Sequence, residues 1–493
     1  MRIAMMSYEV YPFVKVGGLA DVLGSLPKYL ERLSSRSGSQ PMEIDIYMPY
    51  HRAVSKNAKP FGYSIEKIGS PFPVPFMQTI QEVQLYRSRL PDSDVNVYFI
   101  GNDHFFSGEK VYGYEDQGEQ AIFFNVGALE AIRVLGKSYD VIHAHDWQSG
   151  LIPVYIKTLL REEPMFQKAL TVFTIHNLGY QGKFPSMYLN MAGLPHYLFN
   201  VDALEFYGEI NFLKGGVLFS DIVTTVSPRY AQEIQTKAFG EKLEGVLSIR
   251  SDALYGILNG IDYDIFDPTK TNLVPYAFTP NDLSGKARNK RLLQERLGLE
   301  VNPDVPVFGL ISRLVAQKGL DILSKITPFF LMQDVQLVVL GTGDAEYEEL
   351  VQEMAAENPK KVSANLKFDI DLANLIYAGS DIFLMPSRYE PCGLGQMFSL
   401  RFGTIPVVHY VGGLADSIIE FDEKEKTGNG FGFSEYRESE LLLSIFRALY
   451  FYRRKESWET LIKNAMTDDF SWERSAKEYV YIYTEGLKNK RAL

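Results

Sequence analysis

Along most of the chain, short solid runs of apolar residues alternate with stretches whose apolar positions recur every three or four residues. The runs are RIAMMSY (2–8), IDIYMP (44–49), NVYFIG (96–101), DVIHAH (140–145), LTVFTIH (170–176), DIVTTVS (221–227) and YGILNG (255–260). They continue with VPVFGLIS (305–312), QLVVLG (336–341), DIFLMP (381–386) and IPVVHY (405–410). Solid rather than alternating runs of this length predict strands covered on both faces. The intervening periodic stretches predict amphipathic helices. In GLADVLGSLPKYLERL, Leu19, Val22, Leu23, Leu26, Leu30 and Leu33 share one helical face. Pro27 inside that pattern predicts a kink or a break. Strand and helix in strict alternation predict an α/β fold of doubly wound parallel sheets.

The alternation is interrupted once, by the turn-rich NGIDYDIFDPTKTNLVP, before the basic NDLSGKARNKRLLQERLGL opens a new series. This divides the chain into domains at 1–252 and 253–471, followed by a helical tail at 472–493. Each half carries one copy of the hexapeptide VGGLAD, at 16–21 and 411–416. Paired glycines at a strand-to-helix turn allow a sharp bend and bring backbone N–H groups close to an anionic or polyhydroxy ligand. They serve equally to make a tight turn and nothing more.

Ligands of open α/β sheets bind beyond the carboxyl ends of the strands, and the unusual polar residues collect there. HAHDWQSG follows one strand, TIHNLGY another, SRLVAQKG a third and SRYEPCGLGQ a fourth. Lys15, Arg313 and Lys318 all stand beside glycine or turn residues and suit a diphosphate clamp. Glu390 fits an acceptor for sugar hydroxyls or a carboxylate near a helix start. His143 and His145 point to one face of a strand, but no third ligand at zinc-like spacing accompanies them. The pairs DSD (92–94), DYD (262–264) and DID (369–371) could be read as divalent-metal motifs, although chance pairs are expected among 61 acidic residues. LGTGDAEYEEL (340–350) is a partial dinucleotide fingerprint with Glu346 at the third glycine. No GxxxxGK[ST] or GxSxG is present, which argues against P-loop and α/β-hydrolase chemistry.

At 493 residues the chain is too long for a single core. A net charge of −11 argues against nucleic acid or an anionic membrane as the main partner. The single cysteine, Cys392, excludes an internal disulfide and fits a reducing compartment. With no apolar run of spanning length and no secretory pattern at the start, the expectation is a soluble cytoplasmic protein.

The segments KVGGLADVLGSLP (15–27), HAHDWQSGLIP (143–153), TIHNLGYQG (174–182), VSPRYAQEI (226–234), GILNGIDYDIFDP (256–268), ISRLVAQKGLDIL (311–323), VVLGTGD (338–344), DIFLMPSRYEPCGLGQM (381–397) and GTIPVVHYVGGLADSI (403–418) together resemble the bacterial glycogen synthases and plant starch synthases, in the family's order. The resemblance implies GT-B architecture: two Rossmann-like domains facing across a cleft, with the last helix crossing back to the first. It implies glucose transfer from ADP-glucose to the non-reducing 4-OH of an α-1,4-glucan (glycogen or a maltooligosaccharide), with retention and with no metal or other cofactor. By position in the family's motifs, Lys15 would contact donor phosphate in a loop with Gly17, Gly18 and Asp21, and Arg313 and Lys318 would hold the diphosphate. His176 would reach the transferred glucose near its 6-hydroxyl, Asp146 would line the same pocket, and Glu390 would hold glucose hydroxyls. Cys392 and the backbone of Gly393, Leu394 and Gly395 would meet sugar and phosphate, Asn259 would face the sugar, and Phe368 would stack on adenine.

The chain departs from the family pattern at Val16 and Val411, where threonine is commoner, and at His409-Tyr410, where basic residues are common. The competing readings are another GT-B transferase using UDP-glucose or a small acceptor, a phosphorylase, or a non-catalytic glycan-binding protein.

Overall fold

In the computed structural model, which describes residues 1–36, 42–58, 62–77 and 79–492, the chain forms two units, 1–260 with 472–493, and 261–471. The first unit is built on a nine-stranded sheet. Its strands are β1 (Arg2–Met6), β2 (Glu43–Pro49), β3 (Glu66–Phe76), β4 (Thr79–Arg89), β5 (Asn96–Gly101), β6 (Val141–His145) and β7 (Leu170–Ile175). A small three-stranded sheet follows, of β8 (Lys183–Pro185), β9 (Glu205–Phe206) and β10 (Glu209–Asn211). The large sheet then closes with β11 (Ile222–Thr225) and β12 (Leu254–Gly256), in the order β12-β11-β7-β6-β1-β2-β5-β4-β3.

The seven strands from β12 to β5 are parallel, and only the β3–β4 hairpin runs antiparallel at one edge. The chain leaves β1 first toward β2 and later returns to its other side at β6. The topological switch point therefore falls between β1 and β6. Ile3, Ala4, Met5 and Met6 are all buried, as strands covered on both faces require.

Of the kink or break expected at Pro27, the break does not occur: helix Gly18–Arg36 runs continuously through it. Leu19, Val22, Leu23, Leu26 and Leu30 are buried. At about 1.5–3 kcal/mol per buried large side chain, they outweigh the roughly 3 kcal/mol of a proline in a helix interior. The last helix, Trp472–Ala492, belongs to this unit. Its Tyr483 hydroxyl lies 2.7 Å from His143 Nδ1, and a Cβ at Gly486 would meet Ile222 at 2.7 Å. Since β12 pairs with β11, the segment just after 252, expected to open the second domain, is the edge strand of the first unit.

The second unit holds a six-stranded, wholly parallel sheet of β13 (Val307–Ile311), β14 (Gln336–Leu340), β15 (Val362–Asn365), β16 (Ile382–Met385), β17 (Ile405–His409) and β18 (Phe431–Phe433). Its order is β15-β14-β13-β16-β17-β18. The switch point here lies between β13 and β16. Lys15 and Asp146 in the first unit, and Arg313, Lys318 and Glu390 in the second, follow the strands that flank these two places, whereas Asn259 and Phe368 follow edge strands β12 and β15.

Candidate active site

In the first unit the loop after β1 is shaped by Glu9. Its buried carboxylate accepts the N–H groups of Val16 (2.5 Å) and Gly17 (2.9 Å) on one oxygen and the Tyr112 hydroxyl (2.6 Å) on the other. Lys15, Val16, Gly17 and Gly18 consequently stand exposed at the start of helix Gly18–Arg36. A Cβ at Gly17 would find only open space, with Glu9 Oε1 4.0 Å away. Lys15 pairs with Asp21 at 2.7 Å. Burial raises the Asp21 carboxyl above its ordinary range, and Lys15 opposes that shift.

On the other side of the switch point, Asp146 follows β6 with φ 58° and ψ 177°, a backbone region almost reserved for glycine. Holding an aspartate there costs of order 1–3 kcal/mol. It directs the carboxylate to the backbone N–H of His176, at 2.7 Å. Burial pushes the Asp146 carboxyl up to about 7, and the Glu9 carboxylate adds to the rise, while backbone N–H groups of His176 and Asn177 hold it back. His176 Nε2 lies 3.0 Å from His145 Nδ1, and burial lowers the His176 imidazole to about 3. His176 is thus a neutral ring, oriented from behind by His145 and from its backbone by Asp146. His143 is spent on structure: its nitrogens meet Tyr483 and, at 2.6 Å, Thr174 Oγ1. Among the described residues no group of three metal-ligating side chains is assembled. Asn259, three residues past β12, is buried, and its Oδ1 has no hydrogen-bond partner among the described residues.

In the second unit two loops are laced together at the switch point. Arg388 N donates to Gln317 O (2.8 Å), and Gln317 Nε2 donates to Tyr389 O (3.1 Å). Gly319, at φ 78°, lets the turn pass so close to Pro386 that a Cβ would sit 2.0 Å from its carbonyl oxygen. The result sets Lys318 Nζ 2.6 Å from Glu390 Oε2, with the Ser387 hydroxyl donating to the same oxygen at 3.0 Å. Lys318 and Glu390 are both largely buried. Glu390 therefore answers to a lysine and a serine rather than to the start of helix Gly395–Arg401. Arg313 is exposed and has no ion-pair partner among the described residues. It is held out by its neighbours: Ser312 N donates to Leu340 O, and Leu314 N to Thr342 O. The glycines of the partial fingerprint serve this clasp, since Cβ atoms at Gly341 and Gly343 would strike Ser312 O at 1.8 Å and Leu314 O at 2.1 Å.

The second VGGLAD copy is buried where the first is exposed. Gly413 N donates to Glu390 O (3.2 Å) and Pro391 O (3.1 Å). Cβ atoms at Gly412 and Gly413 would lie 2.0 Å from Glu390 O and 2.1 Å from Cys392 O. These glycines shape the loop that carries Glu390, and Cys392 is buried in the same contact. Gly393, at φ 71°, Leu394 and Gly395 are half-buried just beyond it. Phe368 is 83% exposed, between β15 and helix Ile370–Gly379. His409 is buried with Nδ1 2.9 Å from Ser387 O, so it braces the Glu390 loop.

Each unit thus places cationic and hydroxyl-bonding groups at the switch point of a parallel sheet, the arrangement of a GT-B glycosyltransferase. Family models agree: "Starch synthase catalytic domain" matches residues 2–249 and "Glycosyl transferases group 1" matches 294–465. The chain is 55% identical to a glycogen synthase of Pseudothermotoga lettingae over 100% of both chains, and 56% identical to one of Fervidobacterium nodosum over 98% of both. The catalytic domain of starch synthase IV from Arabidopsis thaliana, solved with ADP and acarbose, superposes with a TM-score of 0.90 at 31% identity over 99% of both chains. A sucrose-phosphate synthase of Thermosynechococcus elongatus, at 17% identity and a TM-score of 0.58 over 98% of both chains, shares the fold. The chain belongs to the glycogen and starch synthase family.

Glu9, His145 and Ser387 were missed in the sequence. Glu9 lies seven residues before the loop it holds, with no spacing rule to connect them. His145 was legible as facing the same side of its strand as His143, but its pairing with His176, just past the neighbouring strand, was not, and Ser387 stands at a strand end where nothing local marks it as the partner of Glu390.

Proposed function

We propose that this chain transfers glucose from ADP-glucose to the non-reducing 4-OH of an α-1,4-glucan with retention at the anomeric carbon, using no metal or other cofactor. The observation that carries this reading is the Lys318–Glu390 pair at the switch point of the second unit, with Arg313, exposed and in no ion pair among the described residues, on the same loop as Lys318. Two cations suit a diphosphate whose charge grows as it leaves. The carboxylate suits the glucose hydroxyls and the positive charge developing on the ring.

In the first unit, Lys15 and the exposed backbone at Gly17 and Gly18, where helix Gly18–Arg36 begins, serve the phosphates. Neutral His176, with Nε2 committed to His145, offers its remaining polar atom to a sugar hydroxyl. Asp146 holds that histidine in place. Asn259 has a free buried acceptor for the sugar, Phe368 an open face for adenine, and the backbone of Gly393, Leu394 and Gly395 completes the contacts. Retention without a covalent intermediate requires the leaving phosphate to take the acceptor's proton on the same face, which the cations favour. No helix among the described residues is long and apolar enough to cross a membrane. With the acidic balance and the single cysteine, that supports a cytoplasmic enzyme partnered by neither nucleic acid nor membrane.

Extending maltotriose in EDTA and reading the new linkage by proton NMR tests this reading. The expected product carries a new α-1,4 signal. A β-linked product, or activity that disappears in EDTA and returns with Mn²⁺, overturns it.

A further inference from the structure

The insertion between His176 and helix Phe212–Phe219 carries exposed apolar side chains that the reaction above does not use. β9 and β10 pair with Phe206 opposite Glu209 and Glu205 opposite Ile210, so Tyr207 and Gly208 alone form the loop. Both have positive φ, 53° and 86°, the signature of a type I′ turn. Asparagine, aspartate or glycine normally fills the first position, because a bulky side chain there is a true outlier. Tyr207 is nevertheless 74% exposed, so burial contributes little to holding it in that conformation. Its ring meets the buried Phe206 edge-on, 4.9 Å between centroids, and Lys242, whose ammonium lies 5.2 Å from the centroid. Lys242 and its neighbour Glu241 also have positive φ, 68° and 50°. Unfavourable backbone on both sides sets a ring and an ammonium together at the surface. Strain of this kind, without a structural return, points to function.

The insertion is rooted at the site. Phe184 of β8 packs on Trp147, the residue after Asp146, at 5.6 Å between ring centroids, and on Phe212 at 4.9 Å. Asn211 Nδ2 donates to Gln181 Oε1 (2.7 Å), and Gln181 Nε2 to Glu241 O (2.9 Å), which ties the loop bearing Lys242 to the same base. Tyr197 and Val201, on the same insertion, are exposed as well. An open aromatic face with a phenol and an ammonium beside it matches a ligand that alternates C–H faces with hydroxyls. It matches a lipid or an apolar helix poorly, since either would have to bury the ammonium.

We propose that the Tyr207–Gly208 hairpin is a glucan-binding site. A glucosyl ring stacks on Tyr207 while Lys242 donates to its hydroxyls, holding the acceptor polymer away from its reacting end. The inference rests on the acceptor being a glucan, as proposed above.

The test uses Tyr207→Asn, which suits the turn better than tyrosine, so the melting temperature should hold or rise. Retardation in glycogen-containing native gels should show affinity falling about five- to tenfold, with KM for glycogen rising in step. Values of kcat and KM with maltotriose, and KM for the donor, should stay unchanged. Tyr207→Trp should retain glycogen affinity, and Lys242→Met should lose part of it. Unchanged glycogen affinity in Tyr207→Asn overturns the proposal, as does an altered sedimentation coefficient with glycogen affinity intact, which would make the hairpin a self-association surface. In either case wild-type transfer to maltotriose leaves the acceptor reading standing. Wild-type failure with every glucan overturns that reading and the hairpin proposal with it.

Discussion

Glu390 carries two demands at once, since it pairs with Lys318 and is proposed to hold the sugar in the reaction. Glu390→Gln keeps the shape and the Ser387 contact but removes the charge. The loss should cost about 2–4 kcal/mol in the transition state, seen as a steep fall in kcat with donor affinity little changed. Turnover within a few-fold of wild type would reduce Glu390 to a partner of Lys318. Glu9 acts one step back, through the backbone of Val16 and Gly17. Glu9→Gln gives up a charged acceptor, whose hydrogen bonds are worth about 1.5–3 kcal/mol against about 0.5–1.5 for a neutral one. It should raise KM for the donor more than it lowers kcat, with the circular dichroism spectrum unchanged; an unaltered KM would contradict the role. Motifs with local chemistry, such as Lys318 and Glu390, were legible as candidates because each follows an apolar strand. Their pairing was not, since it depends on Gln317 lacing together two loops 72 residues apart, through Arg388 and Tyr389.

At the scale of elements, the same six letters produce two different turns. The first copy leaves its glycines open because Glu9 takes up the N–H groups of Val16 and Gly17 from beneath. The second buries them because the backbone at 390–392 occupies the space a Cβ would need. Gly17→Ala should therefore leave the melting temperature unchanged and act on donor binding alone. Gly413→Ala should destabilise by about 1–3 kcal/mol through overpacking and lower activity through the displaced Glu390 loop. Equal melting temperatures for the two variants would contradict this division. The sequence showed that both copies were strand-to-helix turns; it held no sign of which one faces protein.

The strands themselves were legible where they are buried on both faces, as in β1 or β14. The β3–β4 hairpin was missed because SPFPVPF, with its prolines, reads as a breaker, and it is tolerated because β3 is an edge strand. Buried histidines on β6 and at the ends of neighbouring elements set a pH response. Burial lowers His143 and His176 to about 3 and His51 to about 4, and His145 falls well below its ordinary value. The unfolded chain takes up these protons as pH drops through about 6.5, whereas the folded chain does not, so stability is lost on acidification. Asp146 opposes this, because its raised pKa lets the folded form bind a proton below about 7 that the unfolded form refuses. The histidines outnumber it. The melting temperature should rise from pH 5 to 6.5, and less steeply in His143→Gln; a flat or falling profile would contradict the balance.

On the scale of the whole molecule, two parallel sheets each gather their polar groups at a switch point, and the family to which the chain belongs makes glucan by glycosyl transfer. The division into two α/β halves was readable from the break near 260, but the assignment of β12 was not, because only pairing with β11 identifies it as an edge strand of the first sheet. The central claim is that the cations of these sites act on the diphosphate of ADP-glucose without a metal. The most direct measurement compares kcat/KM for ADP-glucose and UDP-glucose, each with glycogen as acceptor, in the presence of EDTA. The account predicts undiminished transfer and a clear preference for ADP-glucose, with the preference narrowed in Phe368→Ala. Transfer that favours UDP-glucose, or that vanishes in EDTA and is restored by Mn²⁺ or Mg²⁺, would contradict it.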